Sequence, residues 1–176
     1  ARYFADKGST AVVLKYRLPD RELQSEPKHV PLMDAQRGLQ LVRQNAKGWN
    51  IDPSRIGILG FSAGGHLAAS ASVMWERPAL ESISPEEARP DFSVLVYPVI
   101  AISKSYGHTG SRENLLGEDA APELVRRFSP ELQVNERTPP AYMVHSIDDG
   151  AVPVENSMVY FQRLRERNLP AEISVY

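Results

Sequence analysis

The chain has 176 residues, of which 42% are hydrophobic and 24% are charged, and its formal net charge is -2. This composition is typical of one globular domain with a sizeable core, and the absence of any block of like charges argues against nucleic acid or an anionic membrane as a partner. Without cysteine the chain has no disulfide, no thiolate metal site and no thiol nucleophile. The longest apolar run, residues 94–102, is too short to span a bilayer.

Both ends of the chain predict a truncated domain. The chain opens as the last turns of a helix that ends near Gly8, and it closes on AEISVY, an alternating strand pattern with no loop or cap after it. A natural domain rarely stops inside a strand. We therefore expect segments before Ala1 and after Tyr176 that complete the domain, and the residues present leave the oligomeric state unassigned.

Strands and helices alternate along the chain. Apolar, β-rich runs predict five strands, at residues 11–16, 55–59, 92–97, 141–146 and 171–176. Apolar stripes with helical spacing predict helices at residues 32–47 and 155–168. This alternation predicts a mostly parallel sheet with helices on both faces, so the expected fold is a three-layer α/β/α sandwich formed by a single domain over residues 1–176.

Residues 103–138 interrupt the alternation. The segment is rich in glycine, proline and polar residues, and only residues 120–127 have a helical pattern. In α/β enzymes such excursions leave from the carboxyl ends of strands, where ligands bind. Two interpretations stay open: a wall or lid over a site, or a solvated connecting loop.

A G-x-S-x-G motif, formed by Gly60, Ser62 and Gly64, directly follows the strand predicted at residues 55–59. In a nucleophile elbow the serine occupies a strained strand-to-helix turn, and a side chain at either flanking glycine would clash with the crowded main chain. The amino end of the new helix leaves the Ala63 amide free to donate to a developing oxyanion. The motif predicts a nucleophilic serine, and the alternative is a serine that only fills a tight turn.

The carboxylate that such a serine needs is predicted in the stretch AYMVHSIDDGAVPVENS. In this architecture the chain order is serine, then aspartate or glutamate, then histidine. Asp148 and Asp149 both follow the strand predicted at residues 141–146. Asp149 is favoured because it stands three residues before Val152, in the D-x-x-V-P pattern common to enzymes with this chain order. Paired aspartates also occur simply as Asx-turn formers.

Several phrases of the chain, including VVLKYRLP, RIGILGFSAGGHLAAS, RPDFSVLVYPVI and TPPAYMVHSIDDGAVPVENS, together resemble the α/β-hydrolase superfamily. Within it they are similar to the bacterial acetyl xylan esterase-like carbohydrate esterases. The resemblance implies an α/β-hydrolase fold that is incomplete in this chain. It implies Ser62 as the nucleophile, the Ala63 N–H as one oxyanion donor and Asp149 as the triad acid.

The resemblance also implies two parts that the chain lacks. One is a glycine-rich oxyanion loop before Ala1, and the other is the catalytic histidine, expected just after Tyr176. We therefore expect the 176-residue chain by itself to have no esterase activity on p-nitrophenyl acetate above a Ser62→Ala control. The superfamily's strand order also implies an early strand, before Ala1, between the strands predicted at residues 11–16 and 55–59. Its absence would leave unpaired backbone edges inside the sheet, so we expect the chain by itself to be poorly soluble.

The chain holds four histidines, none of which is a good triad base. His66 lies one helical turn past the motif serine and is the alternative base to be tested. His145 ends a strand and is interpreted as a structural residue. His29 and His108 lie in loops outside the expected chain order, and no two histidines have the spacing of a metal site.

The expected function is that of a serine carboxylic-ester hydrolase that works through an acyl-enzyme. By resemblance alone, its substrate is a small-molecule or oligosaccharide ester, with acetyl groups on xylan or related carbohydrates as the first choice. The resemblance implies no cofactor, and it is compatible with a secreted, periplasmic or cytoplasmic protein. The alternatives are a peptidase or dienelactone-type hydrolase on the same fold, and a hydrolase-like domain that binds without turnover.

Overall fold

The computed structural model describes all residues 1–176 and contains one four-stranded parallel sheet. The strands lie side by side in chain order and comprise Gly57–Phe61 (β1), Phe92–Val96 (β2), Ala141–His145 (β3) and Ala171–Val175 (β4). Each neighbouring pair is parallel and in unbroken register, as in the pairing of Leu59 with Val94. The carboxyl ends of all the strands therefore meet at one edge of the sheet.

Seven α-helices accompany the sheet. They are Arg2–Ala5 (α1), Val30–Asn45 (α2), Ser62–Val73 (α3), Pro85–Ala88 (α4), Thr109–Leu116 (α5), Pro122–Arg127 (α6) and Glu155–Glu166 (α7). Two short 3₁₀ helices lie at Pro27–His29 and Pro130–Leu132. None of the helices has the length and apolar composition that crossing a membrane requires.

The main core lies between one face of the sheet and the helices α3 and α7. Leu95 on β2 and Met143 on β3 are fully buried there against Ala69 of α3 and Leu164 of α7. Helix α2 packs on the outer side of α3, with Leu32 in a smaller cluster. The residues that alternate with these core positions are half-buried or exposed.

The opposite face of the sheet carries exposed apolar side chains. Leu59 and Phe61 on β1 and Tyr142 on β3 are all more than a third exposed. The expected parallel sheet with helices is confirmed, and so is the fold class. Within residues 1–176, however, the helices that contact the sheet cover only one face, so the third layer expected from the sequence is not formed by these residues.

The strand expected at residues 11–16 is absent, whereas the other four expected strands are confirmed to within two residues. A strand exists through hydrogen bonds to a neighbouring strand, and the segment 10–19 makes no main-chain to main-chain hydrogen bond. Two of its main-chain groups bond to side chains: the Arg17 amide donates to Asp34 Oδ2 on α2 at 2.8 Å, and the Leu18 carbonyl oxygen accepts from Gln24 Nε2 at 3.1 Å. The apolar run therefore lies extended and largely exposed on the surface.

Residues 103–138 contain two α-helices, α5 and α6, and not the single helix expected near residues 120–127. Helix α5 was not predicted from the sequence because its residues are mostly polar and none is buried, so it has no apolar stripe. The His108 side chain caps the amino end of α5, because its Nδ1 accepts a hydrogen bond from the Ser111 amide at 3.0 Å. The segment packs on the fold through a second cluster that includes Val99 and Phe128.

Asn156, fully buried at the start of α7, connects the segment after β2 with the segment after β3. Its Oδ1 accepts hydrogen bonds from the main-chain amides of Ile100 and Ala101, each at 3.0 Å. Its Nδ2 donates to the carbonyl oxygens of Tyr106 and Pro153. All the polar capacity of one amide side chain is thus used to bind the segment after β2 to the segment after β3.

Glu131 is a buried carboxyl group without a hydrogen-bond partner. The residue is 2% exposed, and neither carboxyl oxygen is hydrogen-bonded. Burial raises the pKa of Glu131 to about 7, and its own main-chain amide, the cations Lys104 and Arg163 and the Ser103 hydroxyl oppose that rise only in part. The Tyr106 hydroxyl lies close to the same carboxyl and adds no cation. The folded protein therefore keeps this side chain protonated under mildly acidic conditions.

We predict that Glu131→Gln stabilises the protein more at pH 8 than at pH 5. The folded-state pKa lies above the unfolded one, so wild type loses stability as pH rises from about 4.5 to about 7. Between pH 5 and pH 8 the stabilisation by the variant grows by about 2 to 3 kcal/mol, which is most of the energy of that pKa difference. Urea unfolding at both pH values measures it, with the exposed Glu118→Gln as the control. An equal effect of Glu131→Gln at the two pH values would contradict the prediction.

Candidate active site

Ser62 occupies a strained turn between β1 and α3. It is the first residue of α3, directly after the last residue of β1, and its φ is 50°, a left-handed value that few non-glycine residues adopt. Its carbonyl oxygen accepts a hydrogen bond from the Val99 amide at 3.1 Å, which fixes the turn to the segment after β2. This is the strand–turn–helix context that the G-x-S-x-G motif predicts.

The turn is closed by main-chain contacts at two glycines. A Cβ at Gly60 would lie 2.1 Å from the carbonyl oxygen of Gly64, and a Cβ at Gly65 would lie 2.7 Å from Pro98. A Cβ at Gly64 itself would meet nothing closer than the Tyr16 hydroxyl, at 4.0 Å. The crowding expected at Gly60 is thus present. The crowding expected at Gly64 is absent, because the carbonyl oxygen of Gly64 lies against Gly60 but the space for a side chain at residue 64 is open. The second glycine at which a side chain would clash is Gly65.

The amino end of α3 points free N–H groups at the Ser62 turn. Ala63 is the second residue of the helix, so its amide has no acceptor within the helix, and its side chain is exposed. The helix dipole adds partial positive charge at the same place. Behind this turn, Ala68 and Ala69 are fully buried against the sheet, which keeps α3 close to β1 and β2.

Asp149 lies in a tight turn after β3. Its Oδ1 accepts hydrogen bonds from the amides of Val152 and Ala151, each at 2.9 Å, and these bonds hold the pKa of the Asp149 carboxyl below its usual range. The carboxylate is therefore ionised at neutral pH. Asp148 differs, because it is exposed and accepts a hydrogen bond from the Ser146 hydroxyl.

The buried His145 side chain forms hydrogen bonds that hold the Asp149 turn in place. It is fully buried, and its Nε2 lies 2.8 Å from the carbonyl oxygen of Val152, so this nitrogen carries the proton and donates. Its Nδ1 then accepts from the Ser157 hydroxyl at 2.8 Å. The Oδ2 of Asp149 is 3.7 Å from Nε2, too far for a hydrogen bond. His145 thus acts as a structural residue of the turn, a role that the strand-end position had suggested.

Ser62 and Asp149 lie on the same edge of the sheet. Ser62 follows β1 and Asp149 follows β3, with β2 between them. Two strand spacings separate their strands by roughly 10 Å, which leaves room for one imidazole ring between a hydroxyl and a carboxylate. Tyr176 reaches this edge too, because its carbonyl oxygen accepts a hydrogen bond from the Ile147 amide at 2.8 Å.

None of the four histidines forms a hydrogen bond with Ser62. His66 is buried, and its Nε2 donates to the carbonyl oxygen of Phe128 at 2.8 Å. Burial lowers the pKa of His66, so the ring is neutral. His108 is engaged at the start of α5, and His29 stacks at an angle on Phe128 with their ring centroids 5.3 Å apart. The histidines present are thus engaged elsewhere.

A parallel sheet with a left-handed serine between a strand and a helix, and an aspartate turn after a later strand, defines the α/β-hydrolase class of fold. The chain belongs to the BD-FAE family, whose profile matches residues 1–164. The similarity to acetyl xylan esterase-like enzymes that the sequence phrases indicated is confirmed by the relatives described next.

Two curated proteins and one crystal structure illustrate the similarity. An acetylxylan esterase of Xylanibacter ruminicola is 36% identical over 97% of this chain and 33% of its own length. Endo-1,4-beta-xylanase B of Butyrivibrio fibrisolvens is 38% identical over 97% of this chain and 27% of its own length. The acetyl ester-xyloside bifunctional hydrolase from Caldicellulosiruptor lactoaceticus has a TM-score of 0.81 and 41% identity over 93% of this chain and 59% of that one. The chain thus spans a third or less of these curated relatives.

We predict that Gly60→Ala destabilises the protein and Gly64→Ala does not. The new methyl group at residue 60 meets a main-chain oxygen that cannot rotate away, so overpacking costs about 1 to 3 kcal/mol, whereas the methyl group at residue 64 meets open space. Thermal unfolding of the two variants beside wild type measures the difference. Equal melting temperatures for Gly60→Ala and wild type would contradict the close contact of β1 and α3.

Proposed function

We propose that the protein is a serine esterase that removes short acyl groups, acetyl first, from xylan or related carbohydrates. The observation that carries the proposal is the left-handed Ser62 at the junction of β1 and α3, because strain of this kind persists only where the surroundings enforce it and it clusters at active sites. The turn presents the hydroxyl at the sheet edge where α/β enzymes bind ligands.

The reaction proceeds in two steps of acyl transfer. Ser62 Oγ forms a bond to the ester carbonyl carbon while its proton passes to a base, and the carbonyl oxygen gains negative charge. The Ala63 amide donates to this oxyanion, aided by the amino end of α3. The carbon–oxygen bond to the sugar then breaks, and the sugar oxygen takes the proton. Water repeats the attack on the acyl-enzyme and releases the carboxylic acid and free Ser62.

Asp149 is the proposed partner of the base. Its Oδ1 is held by two main-chain amides, so the carboxylate stays ionised and fixed in orientation, while Oδ2 has no hydrogen bond of its own. A carboxylate in this state can hold an imidazole in the correct tautomer and stabilise the imidazolium. We place the base on a histidine outside residues 1–176, since the four within them are engaged elsewhere.

The substrate class rests on the relatives. The matched proteins include an acetylxylan esterase and a bifunctional hydrolase named for acetyl esters and xylosides. Esterase LipC of Mycobacterium tuberculosis, 28% identical over 79% of this chain, is a further match named as an esterase. These names support ester hydrolysis as the activity and an acetylated xylan as the first substrate to test.

Ser62→Ala is predicted to abolish ester hydrolysis in the natural full-length protein. Loss of the nucleophile leaves only the residual effect of binding and oxyanion stabilisation, so kcat on p-nitrophenyl acetate should fall by about 10⁵-fold or more. The melting temperature should change little, because the side chain makes no hydrogen bond in the fold. A serine-directed phosphonate should label Ser62 in the wild type. Labelling at another serine, or substantial turnover by the variant, would refute the assignment.

Asp149→Asn and Asp148→Asn separate the two aspartates. An amide at residue 149 cannot stabilise the imidazolium and favours the wrong tautomer of the base, so kcat should fall by about 10⁴-fold. Asp148→Asn changes an exposed carboxylate and should alter kcat less than threefold. Steady-state kinetics on one acetyl ester, with matched melting curves, decides the matter. A larger loss of kcat in Asp148→Asn than in Asp149→Asn would assign the role of the triad acid to Asp148.

A further inference from the structure

A half-open cavity of about 330 Å³ begins at Ala63 and runs along one side of α3. Its far end is formed by Ser70, seven residues farther along the same helix, so the cavity is roughly 10 Å long. The segment from Tyr16 to Pro31 forms one wall, and α5 with Phe128 forms the other. We name this space the α3 cavity.

Apolar surface makes up the larger part of the walls of the α3 cavity. It comes from Leu18, Leu32, Leu67, Leu115 and Phe128, among others. The excursion at residues 103–138 contributes Ser111, Asn114, Leu115 and Phe128 to these walls. The hydrogen bond from His66 Nε2 to the Phe128 carbonyl oxygen holds this wall against α3.

Polar side chains also line the α3 cavity, namely Arg21, Lys28, His66, Ser70, Ser111 and Asn114. The Arg21 guanidinium donates to main-chain carbonyl oxygens of α5, and His66 Nε2 donates to that of Phe128, so His66 Nδ1 offers a lone pair. Ser70 is 3% exposed, and its hydroxyl has no hydrogen-bond partner in the fold. A buried hydroxyl without a partner costs free energy unless a ligand or water meets it. Apolar walls with a small number of polar groups are typical of a small-molecule site.

The form of the cavity selects which part of an ester enters it. A sugar within a polysaccharide has neighbours on both sides, so it needs an open groove and cannot lie in a half-closed cavity of this volume. The acyl group is a free end and can enter. An acetyl group is about the size of two or three waters at about 30 Å³ each, which is a small part of this space.

We propose that the α3 cavity is the acyl-binding subsite of the Ser62 site and that it accepts acyl groups longer than acetyl, with a polar end at Ser70 and His66. This assignment rests on the proposed esterase function, since the cavity begins at the residue whose amide is to hold the oxyanion. It makes Leu115 and Ser70 determinants of acyl specificity. Leu115 limits the width of the cavity, and Ser70 recognises a hydroxyl or carbonyl at the end of the acyl chain.

The test compares p-nitrophenyl acetate, hexanoate and 6-hydroxyhexanoate with the natural full-length protein. Leu115→Trp should lower kcat/KM for hexanoate tenfold or more and for acetate less than threefold, because the indole fills the cavity and leaves room for acetyl. Glu113→Trp places the same side chain on α5 away from the cavity and should change neither value. Equal losses on acetate and hexanoate in Leu115→Trp would overturn the proposal.

The alanine variants of two buried serines test the polar end. Ser70→Ala should lower the ratio of kcat/KM for 6-hydroxyhexanoate to that for hexanoate about fivefold, the effect of one neutral hydrogen bond. Ser72→Ala removes a hydroxyl that already donates to the Ala68 carbonyl oxygen on the same helix, and it should leave the ratio unchanged. An unchanged ratio in Ser70→Ala would refute the recognition of a polar end.

Two further comparisons separate this inference from the proposed function. The first comparison replaces the p-nitrophenyl leaving group by 4-methylumbelliferyl while the acyl group stays the same. The loss of kcat/KM caused by Leu115→Trp should be equal for the two leaving groups. A loss that changes with the leaving group would show that the cavity binds the alcohol part of the ester. Ser62→Ala is measured in parallel. Turnover that survives it refutes the esterase function itself, whereas Ser62-dependent turnover with an unaltered acyl profile in Leu115→Trp refutes only the acyl subsite.

Discussion

The contact between the main chain of β1 and the first turn of α3 is the constraint on which the candidate site depends. The carbonyl oxygen of Gly64 lies where a Cβ of residue 60 would stand, so the strand must pass into the helix without an intervening loop. That direct passage drives Ser62 into a left-handed conformation. It also sets the amino end of α3 at the sheet edge. The small residues Ala68 and Ala69 maintain the same close approach farther along the helix.

Most of the sheet and the Ser62 turn could be predicted because their causes are local in sequence. An apolar run of five residues, a glycine at a fixed offset and a series of alanines are enough to describe a buried strand, a sharp turn and a closely packed helix. The four strands of the structure and the position of Ser62 follow from such patterns. The turn at Asp149 is local as well, since its carboxylate accepts hydrogen bonds from residues two and three positions later.

The features that sequence reasoning missed depend on contacts between distant residues. The run at residues 11–16 has a strand composition, yet a strand also requires a neighbour, and none of the four strands pairs with it. Gly65 is crowded by Pro98, which follows a different strand. Helix α5 is mostly polar and has no apolar stripe that would identify it, and the His108 side chain accepts a hydrogen bond at its start. The buried state of Glu131 likewise arises from packing between separate segments.

The four hydrogen bonds of Asn156 have a consequence for how this fold can diversify. They fasten the root of the excursion, at Ile100, Ala101 and Tyr106, to the start of α7 just after the Asp149 turn. The chain between this fastening and Phe128 forms a wall of the α3 cavity. Val125 and Phe128 also belong to the apolar cluster of Val152, whose amide donates to the Asp149 carboxylate. A change in this stretch therefore reaches the cavity wall and the aspartate turn together, so the shape of the cavity and the position of the candidate acid are coupled.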